Sequence, residues 1–433
     1  MTGVLASVLG LLAAYLAVGV WVGLGLFAVG ITGLWLFRGI PVEKLVAQVS
    51  WNASTGAELV ALPLFILMAE ILFRTKISES LFRGLAPWTA VLPGKLLHVN
   101  VLGCTLFAAV SGSSAATTAT VGRMTVSELV GRGYDRNLVM GSLAGAGTLG
   151  FLIPPSVIMI IYGVLAEVSI IRLFIAGIIP GLMLAFAYMA YLGAVALLWP
   201  QVVPATERHF TWGERLRGLI DLGPVLFLMV AIIGSMYAGI ASPTEAAAVG
   251  VLGALIVAAA QSSLTWPNLR NALMSALRTS SMVGLIIMGA FFMSVSMGYL
   301  GIPRQIATAI AALKLGPYEL ILMLLLLYAV LGCVLEGLSM IVMTLPITLP
   351  LVTAAGFDPI WFGVFMVLVV EMAQVTPPVG FNLFVIQGMT GAPLGVIARA
   401  AAPFFLIMVL FTGFITIFPE IVTWLPNRVM VRG

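Results

Sequence analysis

The sequence predicts an all-α polytopic membrane protein built as an inverted-topology repeat, with about ten transmembrane helices and two re-entrant hairpins. Charged residues make up 8% of the 433-residue chain, and hydrophobic residues make up 61%. A soluble domain carries roughly 25% charged residues, so this chain has too few to cover a water-facing surface. Its 46 glycines are typical of helices that pack closely or break inside a bilayer. A set of landmarks that recurs in the two halves predicts the repeat.

Apolar stretches long enough to cross a hydrocarbon core of roughly 30 Å follow one another along the chain. The clear ones are 57–73, 138–164, 170–199, 219–240, 244–263, 280–302, 361–388 and 400–425. The uncharged stretch 4–37 suits either one long tilted helix or two short passes. Because two spans precede the span at 280 in the second half, the repeat favours two passes here.

The stretch 98–122 has basic residues on both sides, which marks both flanks as cytoplasmic. These residues are Arg74, Lys76, Arg83 and Lys95 before it, and Arg123, Arg132 and Arg136 after it. Its middle, Ser111–Thr118, is small and hydroxyl-rich, which is poor material for a lipid-facing helix centre. We therefore expect a re-entrant hairpin whose polar tip is covered by protein or lines a cavity.

A shift of 223 to 225 residues lays the second half over the first. Gly112-x-Ser114 falls on Gly337-x-Ser339, and Pro154-Pro155 falls on Pro377-Pro378. The chain is thus predicted to consist of repeats 1–213 and 214–433. The first repeat contains hairpin 98–122 and broken helix 138–164, and the second contains hairpin 318–347 and broken helix 361–388. Five crossings in each repeat would turn the second upside down.

Each proline pair lies inside an apolar span and is expected to break the helix there. The break frees carbonyl oxygens for a cation and exposes a helix N-terminus that favours an anion. Hydroxyls and carbonyls without carboxylates suit Na⁺ better than calcium or a transition metal. A simple structural kink is the alternative interpretation.

Other chemistry has little support in the sequence. We find no Walker A motif, no HExxH and no Ser/His/Asp set, so the chain is not expected to be an enzyme, and the net charge of +4 does not indicate a nucleic-acid patch. Acids within the apolar spans are candidates for function. Glu336 at the second hairpin tip could satisfy backbone N–H groups or carry a proton, and Glu371 precedes the second break.

Five segments together resemble the large membrane (M) subunit of tripartite ATP-independent periplasmic (TRAP) transporters. They are Pro63–Glu70 (PLFILMAE), Ser111–Thr118 (SGSSAATT), Gly131–Tyr134 (GRGY), Gly147–Ser156 (GTLGFLIPPS) and Thr376–Asn382 (TPPVGFN). The resemblance implies an elevator-type secondary transporter in the bacterial inner membrane that imports a small organic anion, a C4-dicarboxylate or another carboxylate, by Na⁺ symport. It also implies two partners, a small four-helix membrane subunit and a periplasmic substrate-binding protein.

The resemblance further implies two Na⁺ sites and a set of substrate contacts. The Na⁺ ligands carried over are Ser111, Ser114, Gly147, Thr148, Gly332, Gly337, Thr376 and the backbone of Val379. The substrate contacts are Ser113, Thr117, Pro155, Ser156 and Asn382. Ala373 stands where the family pattern predicts a glycine, so that position is left out.

Two other functions remain as alternatives. A stand-alone sodium–dicarboxylate carrier of similar inverted architecture would need no binding protein. A membrane enzyme or a channel belongs to a different class; the absence of catalytic motifs argues against the enzyme, and the paired broken helices argue against the channel.

Overall fold

The structure is a computed structural model that describes residues 2–39, 41–204, 210–302, 305, 308, 316–333, 335–378 and 380–429. Within these residues every regular element is a helix and no strand occurs. The all-α prediction is therefore confirmed.

The first half contains ten α-helices within its described residues. They are α1 (Thr2–Ala17), α2 (Val22–Phe37), α3 (Val42–Ser54), α4 (Ala61–Phe73), α5 (Ile77–Thr89), α6 (Leu97–Ser111), α7 (Ser114–Gly131), α8 (Arg136–Gly147), α9 (Val157–Leu165) and α10 (Ile170–Leu198). Short 3₁₀ turns cover Ala57–Val60, Thr148–Gly150 and Pro200–Val202.

The second half contains nine α-helices within its described residues. Its helices are α11 (Trp212–Tyr237), α12 (Pro243–Ala260), α13 (Trp266–Leu300), α14 (Pro317–Gly332), α15 (Gly337–Ala354), α16 (Pro359–Gln374), α17 (Phe381–Thr390), α18 (Leu394–Ile417) and α19 (Glu420–Val429).

Six of the described helices are long and apolar enough to cross a membrane. They are α10, α11, α12, α13, α15 and α18. Shorter apolar helices accompany them, namely α2, α4, α6, α14 and α16. The chain is therefore a polytopic membrane protein.

The helix boundaries agree with most of the predicted spans. The stretch 4–37 forms two helices, 98–122 and 318–347 form helical hairpins, and both proline pairs interrupt their helices. The predicted span 400–425 is wrong as a single element, because the chain breaks at Phe418 and Pro419 between α18 and α19. Helices α3 and α5 lie in segments for which no span was predicted.

N-terminal capping residues define the register between the halves. Asp135 caps α8 by accepting from Leu138 N at 2.8 Å, and Asp358 caps α16 by accepting from Ile360 N at 2.6 Å. Ser113 precedes α7 as Glu336 precedes α15. Each pair is 223 residues apart, as are the proline pairs. At this offset the residue equivalent to Gly337 is Ser114. The predicted alignment of the two Gly-x-Ser motifs, which placed Gly112 on Gly337, is therefore shifted by two residues.

The two halves pack on each other through corresponding pairs of helices. Helix α2 packs on α13, and α4 packs on α12; likewise α8 packs on α18, and α16 packs on α10. Each half thus completes the packing of the other, so neither segment buries its apolar faces alone. The predicted division into repeats 1–213 and 214–433 stays a prediction about topology.

Candidate functional site

The tip of the first hairpin lies directly on the first helix break. Gly112 ends α6 with φ +58, a conformation that favours glycine, and a Cβ there would lie 2.8 Å from Pro155 O. Val157 N, at the start of α9, donates to Gly112 O at 3.3 Å. Gly150 approaches the same tip, because its Cβ would lie 2.5 Å from Ser114 Cα. Backbone contact therefore joins the hairpin and the break.

Hydroxyl groups at this tip already have hydrogen-bond partners. Ser111 Oγ and Thr117 Oγ1 are 2.7 Å apart, and Ser114 Oγ donates to Gly147 O at 2.9 Å. Thr148 Oγ1 donates to Gly145 O at 2.6 Å and lies 3.2 Å from the Tyr188 hydroxyl. Of the residues predicted for the first Na⁺ site, the structure thus joins Ser114 to Gly147, whereas the hydroxyls of Ser111 and Thr148 bond elsewhere; the Na⁺ assignment stays a prediction.

Two residues of the second half reach this first site. Glu371, in the last turn of α16, accepts from Phe151 N at 2.7 Å. Asn382, in the first turn of α17, donates from Nδ2 to Ser114 Oγ at 2.9 Å. Both residues are fully buried. The prediction assigned Asn382 to the substrate and gave Glu371 no place in either site, although an acid within an apolar span is a recognisable signal.

The second hairpin meets the end of α16 in an analogous way. A Cβ on Gly332 would lie 2.6 Å from Ala373 Cβ, and a Cβ on Gly337 would collide with Val370 Cγ1. Thr376 Oγ1 donates to Met372 O at 2.7 Å within its own chain segment. Both glycines therefore lie against α16, whereas the Thr376 hydroxyl bonds locally. Val379, the remaining predicted ligand, lies outside the described residues.

A cavity of about 400 Å³ lies between the two hairpin tips and the helices α4 and α13. Its polar lining in the described chain comes from Glu70, Ser111, Ser113, Thr279 and Glu336. The Glu70 carboxylate forms an ion pair with Arg74. No Lys or Arg lines this cavity within the described residues.

Three helices begin at this cavity. Ser113 precedes α7, Val157 is the first residue of α9 and Glu336 precedes α15, and all three residues line the cavity. The first turn of a helix carries partial positive charge, which favours anions. Some of its N–H groups are already engaged here, because Ala116 N donates to Ser113 Oγ and Val157 N donates to Gly112 O. The cavity can therefore hold an anionic group without a basic side chain.

Of the five predicted substrate contacts, Ser113 lines this cavity. The others are Thr117, Pro155, Ser156 and Asn382, which are buried and do not belong to its lining. Ser156 instead caps α9, accepting from Met159 N at 3.3 Å. The contacts stay predictions; the polar residues that line the cavity at the hairpin tips are Ser111, Ser113 and Glu336.

Comparison with known proteins agrees with this arrangement. Residues 9–421 match the family described as "Tripartite ATP-independent periplasmic transporter, DctM component". The chain is 33% identical to the C4-dicarboxylate TRAP transporter large permease protein DctM of Pseudomonas aeruginosa, over 90% of this chain and 91% of that protein. It is 31% identical to the ectoine/5-hydroxyectoine TRAP transporter large permease protein UehC of Ruegeria pomeroyi, over 90% and 91%.

Among solved structures, the YdaH transporter of Alcanivorax borkumensis is similar, with a TM-score of 0.66 at 12% identity, over 88% of this chain and 90% of that one. At that identity the likeness concerns the fold alone. The match along nearly the whole sequence is what identifies the chain. It belongs to the DctM family, the large permease component of tripartite ATP-independent periplasmic transporters.

Proposed function

We propose that this chain imports a small organic anion, a dicarboxylate or another carboxylate, across the bacterial inner membrane by Na⁺ symport. The observation that carries the proposal is the cavity at which α7, α9 and α15 begin. Three helix N-termini at one cavity favour a carboxylate group, and the hydroxyl and carbonyl oxygens behind the tips favour a monovalent cation.

The partners belong to the same proposal. A periplasmic substrate-binding protein delivers the anion, and a small four-helix membrane subunit completes the membrane part. Since the relatives carry names with different substrates, among them C4-dicarboxylates and ectoine, selectivity rests largely with the binding protein.

The proposed mechanism is an elevator. The cavity is bounded on one side by the hairpin tips and the first break, and on the other by α4 and α13. In the proposed cycle, the hairpins and broken helices move as a body against α4 and α13. The substrate and Na⁺ travel with that body, which exposes the cavity first to one face of the membrane and then to the other.

The test is uptake by proteoliposomes that contain this chain, the small subunit and the loaded binding protein, measured against Na⁺ concentration at fixed membrane potential. Ser114→Ala and Thr376→Ala each remove one oxygen ligand, which costs roughly 1–3 kcal/mol at a buried site, or about 5- to 150-fold in Na⁺ affinity. Thr125→Ala, which removes a buried hydroxyl bonded to Val121 O in the same helix α7, is the matched control.

We expect both site variants to need more Na⁺ for the same uptake, and the control to follow the wild type. Unchanged sodium curves for both site variants contradict the predicted Na⁺ ligands. Uptake of free substrate by this chain alone supports the alternative of a stand-alone sodium–dicarboxylate carrier.

A further inference from the structure

Glu371 is a buried carboxylate that has no ion-pair partner among the described residues. Its side chain is 0% exposed. The ion pairs among the described residues join Arg74 to Glu70, Arg83 to Asp221 and Arg132 to Glu128, and none includes Glu371. An ionised carboxylate in such surroundings is strongly unfavourable unless a positive charge comes close to it. The fold therefore places a negative group where a cation would stabilise it.

Three buried side-chain oxygens near this point have no hydrogen-bond partner in the part of the chain that the structure describes. They are Glu371 Oε2, Asn382 Oδ1 and Thr118 Oγ1, and each of these residues is 0% exposed. Buried polar atoms are almost always paired in native structures, so an orphaned atom indicates an ion or a water. Three together are difficult to explain by packing.

The three residues surround Ser114 and Gly147. Ser114 Oγ accepts from Asn382 Nδ2 at 2.9 Å. Glu371 Oε1 accepts from Phe151 N at 2.7 Å, next to Gly150, where a Cβ would lie 2.5 Å from Ser114 Cα. Thr118 follows Ser114 by one helical turn and so shares its face of α7. A Cβ on Gly147 would collide with Thr118 Oγ1 and lie 3.1 Å from Asn382 Nδ2. One small volume beside the Ser114–Gly147 hydrogen bond is therefore bordered by all three.

We propose that Glu371 Oε2, Asn382 Oδ1 and Thr118 Oγ1 bind one Na⁺ beside Ser114 and Gly147. The single carboxylate balances one positive charge, which favours a monovalent ion over Ca²⁺, and an all-oxygen ligand set suits a hard cation. The proposal rests on the proposed Na⁺ coupling and deepens it, because it adds a charged ligand from the second half to the first site. It also assigns Asn382 to the cation and not to the substrate.

Ligands from both halves give the ion a role in the fold. Thr118 belongs to α7 of the first half, whereas Glu371 and Asn382 lie on either side of the second break. The same end of α16 packs on the second hairpin through Val370 and Ala373. An ion held by Glu371 therefore fixes the position of α16 relative to both hairpin tips.

The test is thermal unfolding of the purified full-length chain in detergent, with NaCl replaced stepwise by choline chloride at constant ionic strength. The site variants are Glu371→Gln and Thr118→Val. The controls are Glu128→Gln, a partly exposed acid on α7 that pairs with Arg132, and Thr125→Val, whose hydroxyl is bonded to Val121 O on that helix. We expect the wild type and both controls to melt at higher temperature as Na⁺ rises. Both site variants should need at least tenfold more Na⁺ for the same shift.

The melting temperature of Thr118→Val distinguishes Na⁺ binding from a purely structural role. It removes a buried hydroxyl that has no partner, so in choline chloride the variant should melt at the wild-type temperature or above it. In NaCl the same variant should gain less than the wild type does. It also decides the question if Glu371→Gln fails to fold.

Three outcomes overturn the proposal or separate it from the proposed function. If the melting temperatures of both site variants rise over the same Na⁺ concentrations as that of the wild type, these oxygens bind no Na⁺. Stabilisation of the wild type by acid and not by Na⁺, lost in Glu371→Gln, shows that Glu371 holds a proton, and the Na⁺ assignment is wrong. If Na⁺ stabilises the chain through Glu371 but uptake proceeds without Na⁺, this site stands and the proposed coupling fails.

Discussion

At the first hairpin, the missing side chain of Gly150 lets the break and the tip touch through their backbones. A methyl group there would lie 2.5 Å from Ser114 Cα and 2.7 Å from Ser113 O. Because backbone atoms cannot rotate away as side chains do, the tip itself must shift. We expect Gly150→Ala to destabilise the protein by about 1–3 kcal/mol, the usual cost of overpacking, measured as a lower melting temperature.

Gly284→Ala is the matched control for this substitution. Gly284 lies within α13, and a Cβ there meets nothing within 4 Å. Alanine also favours helix over glycine by roughly 0.5–1 kcal/mol, so this variant should melt at or above the wild-type temperature. Equal melting temperatures for the two variants would show that the tip is loosely packed on the break.

The sequence predicted only part of the first site at the level of residues. Ser111, Ser114 and Gly147 could be found because they lie in short motifs, and the structure joins Ser114 to Gly147. The part supplied by the second half could not be found in this way. Phe151 meets Glu371 across 220 residues, and Ser114 meets Asn382 across 268. Local spacing contains no information about such contacts.

At the scale of helices, length and polarity explain what the sequence revealed. Spans such as α10, whose 29 residues are apolar after Arg172 in the first turn, are easily recognised. Helices α3 and α5 have 13 residues each and contain charged or polar positions, so they lack a spanning signal. The predicted span 400–425 joins α18 to the 10-residue helix α19, because the sequence before Pro419 is apolar and gives no sign of a break.

Arg74 joins α4 to α13 beside the cavity. Its guanidinium pairs with the Glu70 carboxylate, and Nη2 donates to Asn271 O at 3.3 Å and to Ser275 Oγ at 3.0 Å. Hydrogen bonds of a charged donor contribute about 1.5–3 kcal/mol when partly buried. We therefore expect Arg74→Gln to lower the free energy of unfolding by about that amount, with a matching fall in melting temperature.

Arg83→Gln provides the control, since Arg83 also joins helices of the two halves. Its Nη2 lies 3.7 Å from Asp221 Oδ1, and its side chain is 62% exposed. Exposed pairs of this kind contribute little, about 0–1 kcal/mol. A loss for Arg83→Gln as large as that for Arg74→Gln would show that burial beside the cavity is not what strengthens the Arg74 contacts.

Over the whole molecule, the helices of one half pack on those of the other in corresponding pairs, as an internal two-fold relation requires. Helix α2 packs on α13 as α12 packs on α4, and α8 packs on α18 as α16 packs on α10. Composition and landmarks predicted the repeat, because an offset can be read directly from a sequence. The interlocking of the halves could not be predicted, since it depends on which apolar faces meet.

The orientation of the two hairpins in the membrane is the last prediction. Basic residues flank the first hairpin on both sides, whereas no Lys or Arg occurs between Lys314 and Arg399 around the second. Since cytoplasmic loops are enriched in basic residues, the first hairpin should enter from the cytoplasm and the second from the opposite face. The chain would then place its two hairpin tips at one depth, as the shared cavity requires.

Single cysteines and a membrane-impermeant maleimide can test this orientation in intact and permeabilised cells, after Cys104 and Cys333 are replaced by alanine. Exposed positions at the hairpin ends are Val91 and Val130 for the first, and Tyr318 and Ala354 for the second. Cysteines at 318 and 354 should react in cells whose inner membrane is intact, and those at 91 and 130 only after it is opened. Labelling of all four from one side would contradict the inverted repeat, because both hairpins would then enter from the same face. In that case the tips could still meet at the cavity, but the halves would be parallel repeats and their packing through corresponding pairs of helices would need another explanation.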